Sequence, residues 1–160
     1  MTDFDLNRFI TAQDSGSTYE RALVELKAGR KASHWIWFVF PQIDGLGRSP
    51  TARAYAILSL EEARAYLEHP VLGPRLRECA DALLGLDSDD PVAVMGPIDA
   101  VKLRSSMTLF ARADPQDERF PNVLRKFHGA EEDEATLARL PFDPDSGTKG
   151  NLSEGGTRGG

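Results

Sequence analysis

No stretch of this chain alternates apolar and polar residues for long enough to make a half-buried strand with a partner, and that absence constrains the fold more than any other feature. Apolar residues recur instead at helical spacing. Leu6, Phe9, Ile10 and Gln13 share one helical face, and Tyr19, Ala22, Leu23 and Leu26 share another. Leu72, Leu76, Cys79, Leu83 and Leu84 form a third stripe, and Val101, Met107, Leu109 and Phe110 supply the predicted buried side of a helix from about Pro97 to Arg112. Phe120 to Phe127 and Glu132 to Leu140 read as the last two helices. Punctuation agrees with periodicity. Ser17 with Glu20, and Ser59 with Glu62, stand at capping-box spacing. Ser49-Pro50 suits an N-cap followed by the first position of a helix reaching about Leu58, and Pro70, Pro91 and Pro97 suit further starts. Gly29, Gly85 and Gly129 suit helix ends. The pattern predicts an all-α protein, a single compact orthogonal bundle of about seven to nine short helices over residues 1–142.

Residues 143–160 carry six glycines, no aromatic residue and almost no aliphatic one, so they are expected to form a disordered Gly-rich tail. Nineteen Lys and Arg against twenty-five Asp and Glu give a formal charge of −6, which lacks the footprint of a general nucleic-acid backbone binder. The longest apolar run, Trp35 to Phe40, is far shorter than the roughly 20 residues that cross a bilayer, and the N-terminus is polar. A soluble, cytoplasmic protein without a membrane partner is expected. Cys79 stands alone and there are three histidines, too few ligands for an obvious metal site, and no cofactor motif is recognisable. Nothing in the pattern sets an oligomeric state.

Three places hold polar groups that invite chemistry. The run His34-Trp35-Ile36-Trp37-Phe38-Val39-Phe40-Pro41-Gln42 has no usable period and reads as a short buried helix. Its tryptophans either pack the core or offer Trp35 and Trp37 as stacking surfaces, with His34 moving a proton and Gln42 orienting a ligand. The loop Gly45-Leu46-Gly47-Arg48-Ser49 precedes a helix start, so Arg48 and Ser49 either help hold an anion or belong to an ordinary capped helix. Lys102-Leu103-Arg104-Ser105-Ser106-Met107-Thr108 sets Lys102 and Ser106 four residues apart, a spacing that shares a helix face. Ser105 and Thr108 either point at the same ligand or return their hydroxyls to carbonyls four residues back. His128 ends a helix, where a cation is favourable, and Cys79 reads as a small buried apolar residue.

Ser33 to Gln42, Gly45-Leu46-Gly47, Tyr55-Ala56-Ile57, His69 to Leu76 and Lys102 to Phe110, taken in that order, resemble the bacterial DUF1810 family over about Leu6 to Leu140. The resemblance implies a compact all-helical fold and a site shared among the three polar places, but it implies no reaction. The expected function is binding of a phosphate-bearing small molecule, nucleotide-like or resembling ADP-ribose, with hydrolysis without a metal as an extension. Trp35 or Trp37 would stack on a base, and Arg48, Ser49, Lys102, Ser105 and Ser106 would line the site with His34 and Gln42 as catalytic groups. The alternative is a non-enzymatic module that presents an acidic helical surface to another protein.

Overall fold

The structure, a computed structural model, describes residues 4–141. Its elements are α1 (Asn7–Asp14), a 3₁₀ turn (Ser15–Ser17), α2 (Thr18–Ala28), α3 (Ile36–Val39), α4 (Pro50–Ala54), α5 (Leu60–Glu68), α6 (Leu72–Leu84), α7 (Pro91–Met95), α8 (Pro97–Ala113), α9 (Arg119–His128) and α10 (Glu134–Leu137). A lone parallel bridge between Ile43 and Ile57 is the β-type pairing among the described residues. The protein is therefore an all-α bundle, as periodicity requires. The expected tail at 143–160 lies outside the described residues.

α8 is the axis of the bundle. It packs against α5, α7, α9 and α10, while α6 lies on α9, α5 and α2, and α1 on α2 and α3. Pro97 opens α8 at the position where a missing N–H costs nothing, and from there the helix runs into the interior. Leu103 and every residue from Ser105 to Phe110 are buried, the pattern of a helix covered on all sides. A file of rings ties the surrounding helices to it. Phe9 meets Tyr66 edge-on at 5.1 Å, Tyr66 lies 5.3 Å from Phe110, and Phe110 lies 5.9 Å from Phe120.

Polar side chains secure the joints. Ser59 accepts from the Glu62 amide and Glu62 accepts from the Leu58 amide, so the predicted cap of α5 forms with its return bond shifted by one residue. Lys126 donates to the carbonyls of Leu83, Leu84 and Leu86, satisfying the end of α6 from another helix. Gly29 ends α2 in the left-handed conformation, with φ 77°, as expected.

Other expectations are corrected. Ser17 does not cap α2: it is itself left-handed at φ 58° and makes no cap bond, because the 3₁₀ turn has already used the chain reversal. α4 stops at Ala54 rather than near Leu58. Arg8 takes the Ala54 and Ala56 carbonyls, and the Ile57 amide goes to Gln42 O at 2.8 Å, so those groups are unavailable to a longer helix. The last helix shrinks to four residues because Arg104 takes the carbonyls of Glu131 and Glu132, which holds that stretch out as a strap. Val101, expected inside, is 59% exposed. It shares a face with Ser105 and Thr108, but those two bond to Asp133 of the strap whereas Val101 faces an open cleft.

Candidate functional site

An apolar-walled cleft of about 520 Å³ lies between the 42–47 loop, the first turns of α8 and the start of α10. Leu46, Pro97, Ile98, Val101 and Ala135 give it apolar walls, and Gln42, Lys102, Ser105 and Asp133 place polar groups among them. Its size and its ratio of apolar wall to polar anchor are those of a small-molecule site. Ile98 is 70% exposed, so the face opens to solvent at a place where a large aliphatic side chain gains nothing for the fold.

The loop wall is shaped by two glycines. Gly45 has φ +101°, and a Cβ there would sit 2.6 Å from the Arg139 guanidinium. A Cβ on Gly47 would sit 2.4 Å from that of Ala52. These close approaches bring the loop down onto α4 and the Arg139 side chain just past α10. Beneath it a water-sized void of about 10 Å³ is bordered by Trp37, Gln42, Gly47 and Tyr55.

On the opposite wall, Lys102 lies with its ammonium 5.1 Å from the Trp37 ring centroid and 3.7 Å from Asp99. Asp99 also meets Lys31 at 2.7 Å. Lys31 in turn lies over the Trp35 ring at 4.8 Å and donates to the Ser33 carbonyl. Beside this group, Glu25 accepts from the Ala32 and Ser33 amides, the Ser33 hydroxyl and the Trp35 indole N–H, at 2.6 to 3.0 Å. Partial burial alone would push its carboxyl up, but those four donors hold it down at about 2. Glu25 and Lys31 thus fix the turn that leads into α3, and Lys31 ties that turn to α8 through Asp99.

The structure brings some of the expected residues together and separates the rest. Gln42, Lys102 and Ser105 line the cleft. Trp37 reaches it only as the ring beneath Lys102. Trp35 is fully buried with its N–H spent on Glu25, so its stacking role is corrected to core packing. His34 is exposed at the approach to α3 and does not line the cleft. Ser49 accepts from the Ala52 amide at 3.1 Å and Arg48 is exposed, so the loop is an ordinary capped start of a five-residue helix. Ser106 is fully buried with no partner for its hydroxyl, and it also stays out of the cleft. Lys102 and Ser106 therefore do not converge, despite their spacing.

The remaining polar residues of the Lys102–Thr108 stretch hold the strap. Ser105 Oγ has one proton to share between Val101 O and Asp133 Oδ2, at 3.2 and 3.0 Å, while Thr108 Oγ1 donates to Arg104 O and accepts from the Asp133 amide. Asp133 Oδ2 also accepts from the Thr136 amide and hydroxyl, which caps α10. Arg112 grips Glu132 through two bonds, at 3.0 and 2.8 Å. His128, expected to favour a cation, is corrected: burial first, and Arg104 second, lower its pKa. Cys79 is buried as expected, and burial pushes its thiol up to about 12. Among the described residues no group of three or more His, Cys, Asp or Glu is placed to hold a metal, and no helix is long and apolar enough to cross a membrane.

Ile98, Leu46, Asp99 and Asp133 were not legible as site residues, since aliphatic and acidic side chains at those positions look like packing and solvated helix ends. Glu25 left a trace: it is a carboxylate three residues after Ala22 and beside Leu26, both of them core residues.

Fold and cleft together define a small helical protein with an open, largely apolar recess carrying a cation at its wall. The chain belongs to the family described as "Protein of unknown function (DUF1810)", whose profile matches residues 3–140. It is similar to the conserved hypothetical protein Rv1873 from Mycobacterium tuberculosis, whose crystal structure superposes with a TM-score of 0.83 at 50% identity, covering 86% of this chain and 96% of that one. No curated protein matches.

Proposed function

We propose that this protein is a binding protein for a small amphiphilic molecule, which the cleft takes with its apolar body against Leu46, Ile98 and Val101 and its polar end toward Gln42 and Lys102. The observation that carries this reading is the exposure of Ile98 and Val101 inside a recess of ligand size, on the helix that elsewhere buries everything it can. Binding without hydrolysis fits the polar groups. Ser105 is tied to Asp133, Asp133 is occupied by three donors on one oxygen, and His34 lies elsewhere on the surface. A polyphosphate is disfavoured, because Arg48 and Ser49 stand outside the cleft and Asp133 lines it.

The test is fluorescence titration of the full chain with 1-anilinonaphthalene-8-sulfonate, a probe with an aromatic body and one anionic group. Wild type should give a saturable, blue-shifted signal while still melting cooperatively. Val101→Asp should lose that signal, and Val24→Asp, at an equally exposed valine on α2, should retain it. Equal signals from the two variants would sink the reading.

A further inference from the structure

The cleft's electrostatics are uneven in a way that its shape does not require. Two ammonium groups, Lys31 and Lys102, share the single carboxylate of Asp99. The shares are unequal: Lys31 holds Asp99 Oδ2 at 2.7 Å, and both are well covered, whereas Lys102 stands 3.7 Å from Oδ1. A contact of 3.7 Å is too long for a hydrogen bond, so the Lys102 donors are not satisfied by Asp99. The ring of Trp37 attracts that ammonium through its face but accepts no full charge from it. Lys102 also lines the cleft. A cation partly withdrawn from water, with its nearest carboxylate already committed to another lysine, is a ready partner for one negative charge from outside.

The opposite wall sets the upper limit. Asp133 lines the same cleft, and its carboxylate is held in place by Ser105 and Thr136. A second negative charge on a ligand would face that carboxylate and find no further cation among the described lining residues. Between the two walls stand Leu46, Ile98, Val101 and Ala135, which offer contact to an apolar body.

We infer that the cleft selects monoanionic amphiphiles, an aromatic or alkyl carboxylate being the fitting class, with Lys102 as the charge partner that discriminates them from neutral and from dianionic analogues. This rests on the proposed binding cleft and adds the charge of its ligand. Lys102 acts by changing partners: its ammonium leaves the long contact with Asp99 for the ligand carboxylate, while the Lys31–Asp99 pair stays closed.

Three probes of one shape separate the possibilities. 2-Naphthoate carries one negative charge, 2-naphthamide is its neutral isostere, and 2-naphthyl phosphate adds a second charge. Calorimetric titration of the full chain should rank naphthoate first, about tenfold over the amide, as one charge-assisted hydrogen bond provides. The phosphate should bind no better than the carboxylate. Lys102→Met, which keeps the apolar stem, should bind the amide as wild type does and lose the advantage of the carboxylate. Equal affinity of carboxylate and amide for wild type, or an advantage that survives in Lys102→Met, would overturn the charge assignment while leaving the cleft standing. Tighter binding of the phosphate would overturn it in favour of a dianion. Failure of all three probes to bind would remove the binding-cleft reading and this inference with it.

Discussion

The two halves of α8 invert the usual order of a soluble helix. Its later half buries Ser105, Ser106 and Thr108 together with Met107, Leu109 and Phe110, while its first turns leave Ile98 and Val101 in solvent. Polar residues lie inside at one end and aliphatic residues outside at the other. In the later half, Ser105 and Thr108 are committed to the strap that Arg104 and Arg112 also hold, so they serve the fold and have little left for a ligand. At the first turns the side chains gain nothing from the fold as it stands. Chemical polarity is therefore a poor guide to the lining of the cleft, and unspent contact capacity is a better one.

The sharpest way to break this contrast is stability. Phe110→Ala should cost about 3–5 kcal/mol, because it empties the centre of the ring file, whereas Ile98→Ala should stay within about 0.5 kcal/mol. Urea denaturation measures both, and similar costs would show that the two halves are not different in kind. A second test reaches the joint behind the cleft. The folded-state pKa of Glu25 is about 2, below its ordinary value of 4.5, so the native state binds fewer protons there than the unfolded chain does. Its contribution is present above about pH 4.5 and is lost as pH falls toward 2. Glu25→Gln should unfold at a lower urea concentration at pH 7 and should lack this part of the acid dependence. An unchanged pH profile would show that the four donors do not depend on the charge. A smaller effect is expected at the strap: Asp133→Ala removes the cap of α10 and should cost about 1 kcal/mol. Amide exchange at Thr136 and Leu137 should quicken in that variant, with exchange in α9 unchanged.

Legibility in the sequence follows the same division. Helical period and proline punctuation located α1, α2, α5, α6, α8 and α9, since each buries a stripe and begins or ends on local chemistry. What escaped was decided at long range. Ser17 had capping-box spacing, yet the reversal at residues 15–17 left it left-handed. α4 and α10 were cut short by Arg8 and Arg104, arginines 46 and 27 residues away in the chain. Polarity points equally to Gln42, Lys102 and Ser105, which meet in the cleft, and to His34, Arg48, Ser49 and Ser106, which do not; Trp35, a stacking surface by its ring, is core. The aliphatic lining of the cleft is invisible because nothing in a one-dimensional pattern says that Ile98 and Val101 stay uncovered.

The most direct measurement is amide chemical-shift mapping of the ¹⁵N-labelled full chain titrated with 2-naphthoate. Perturbations confined to Gln42, Leu46, Gly47, Ile98, Val101, Lys102, Ser105 and Ala135, with α8 beyond Ser105 silent, are the predicted result. Perturbations centred instead on His34 and Arg48, or spread along Ser106 to Phe110, would contradict the division of α8 on which the proposed site rests.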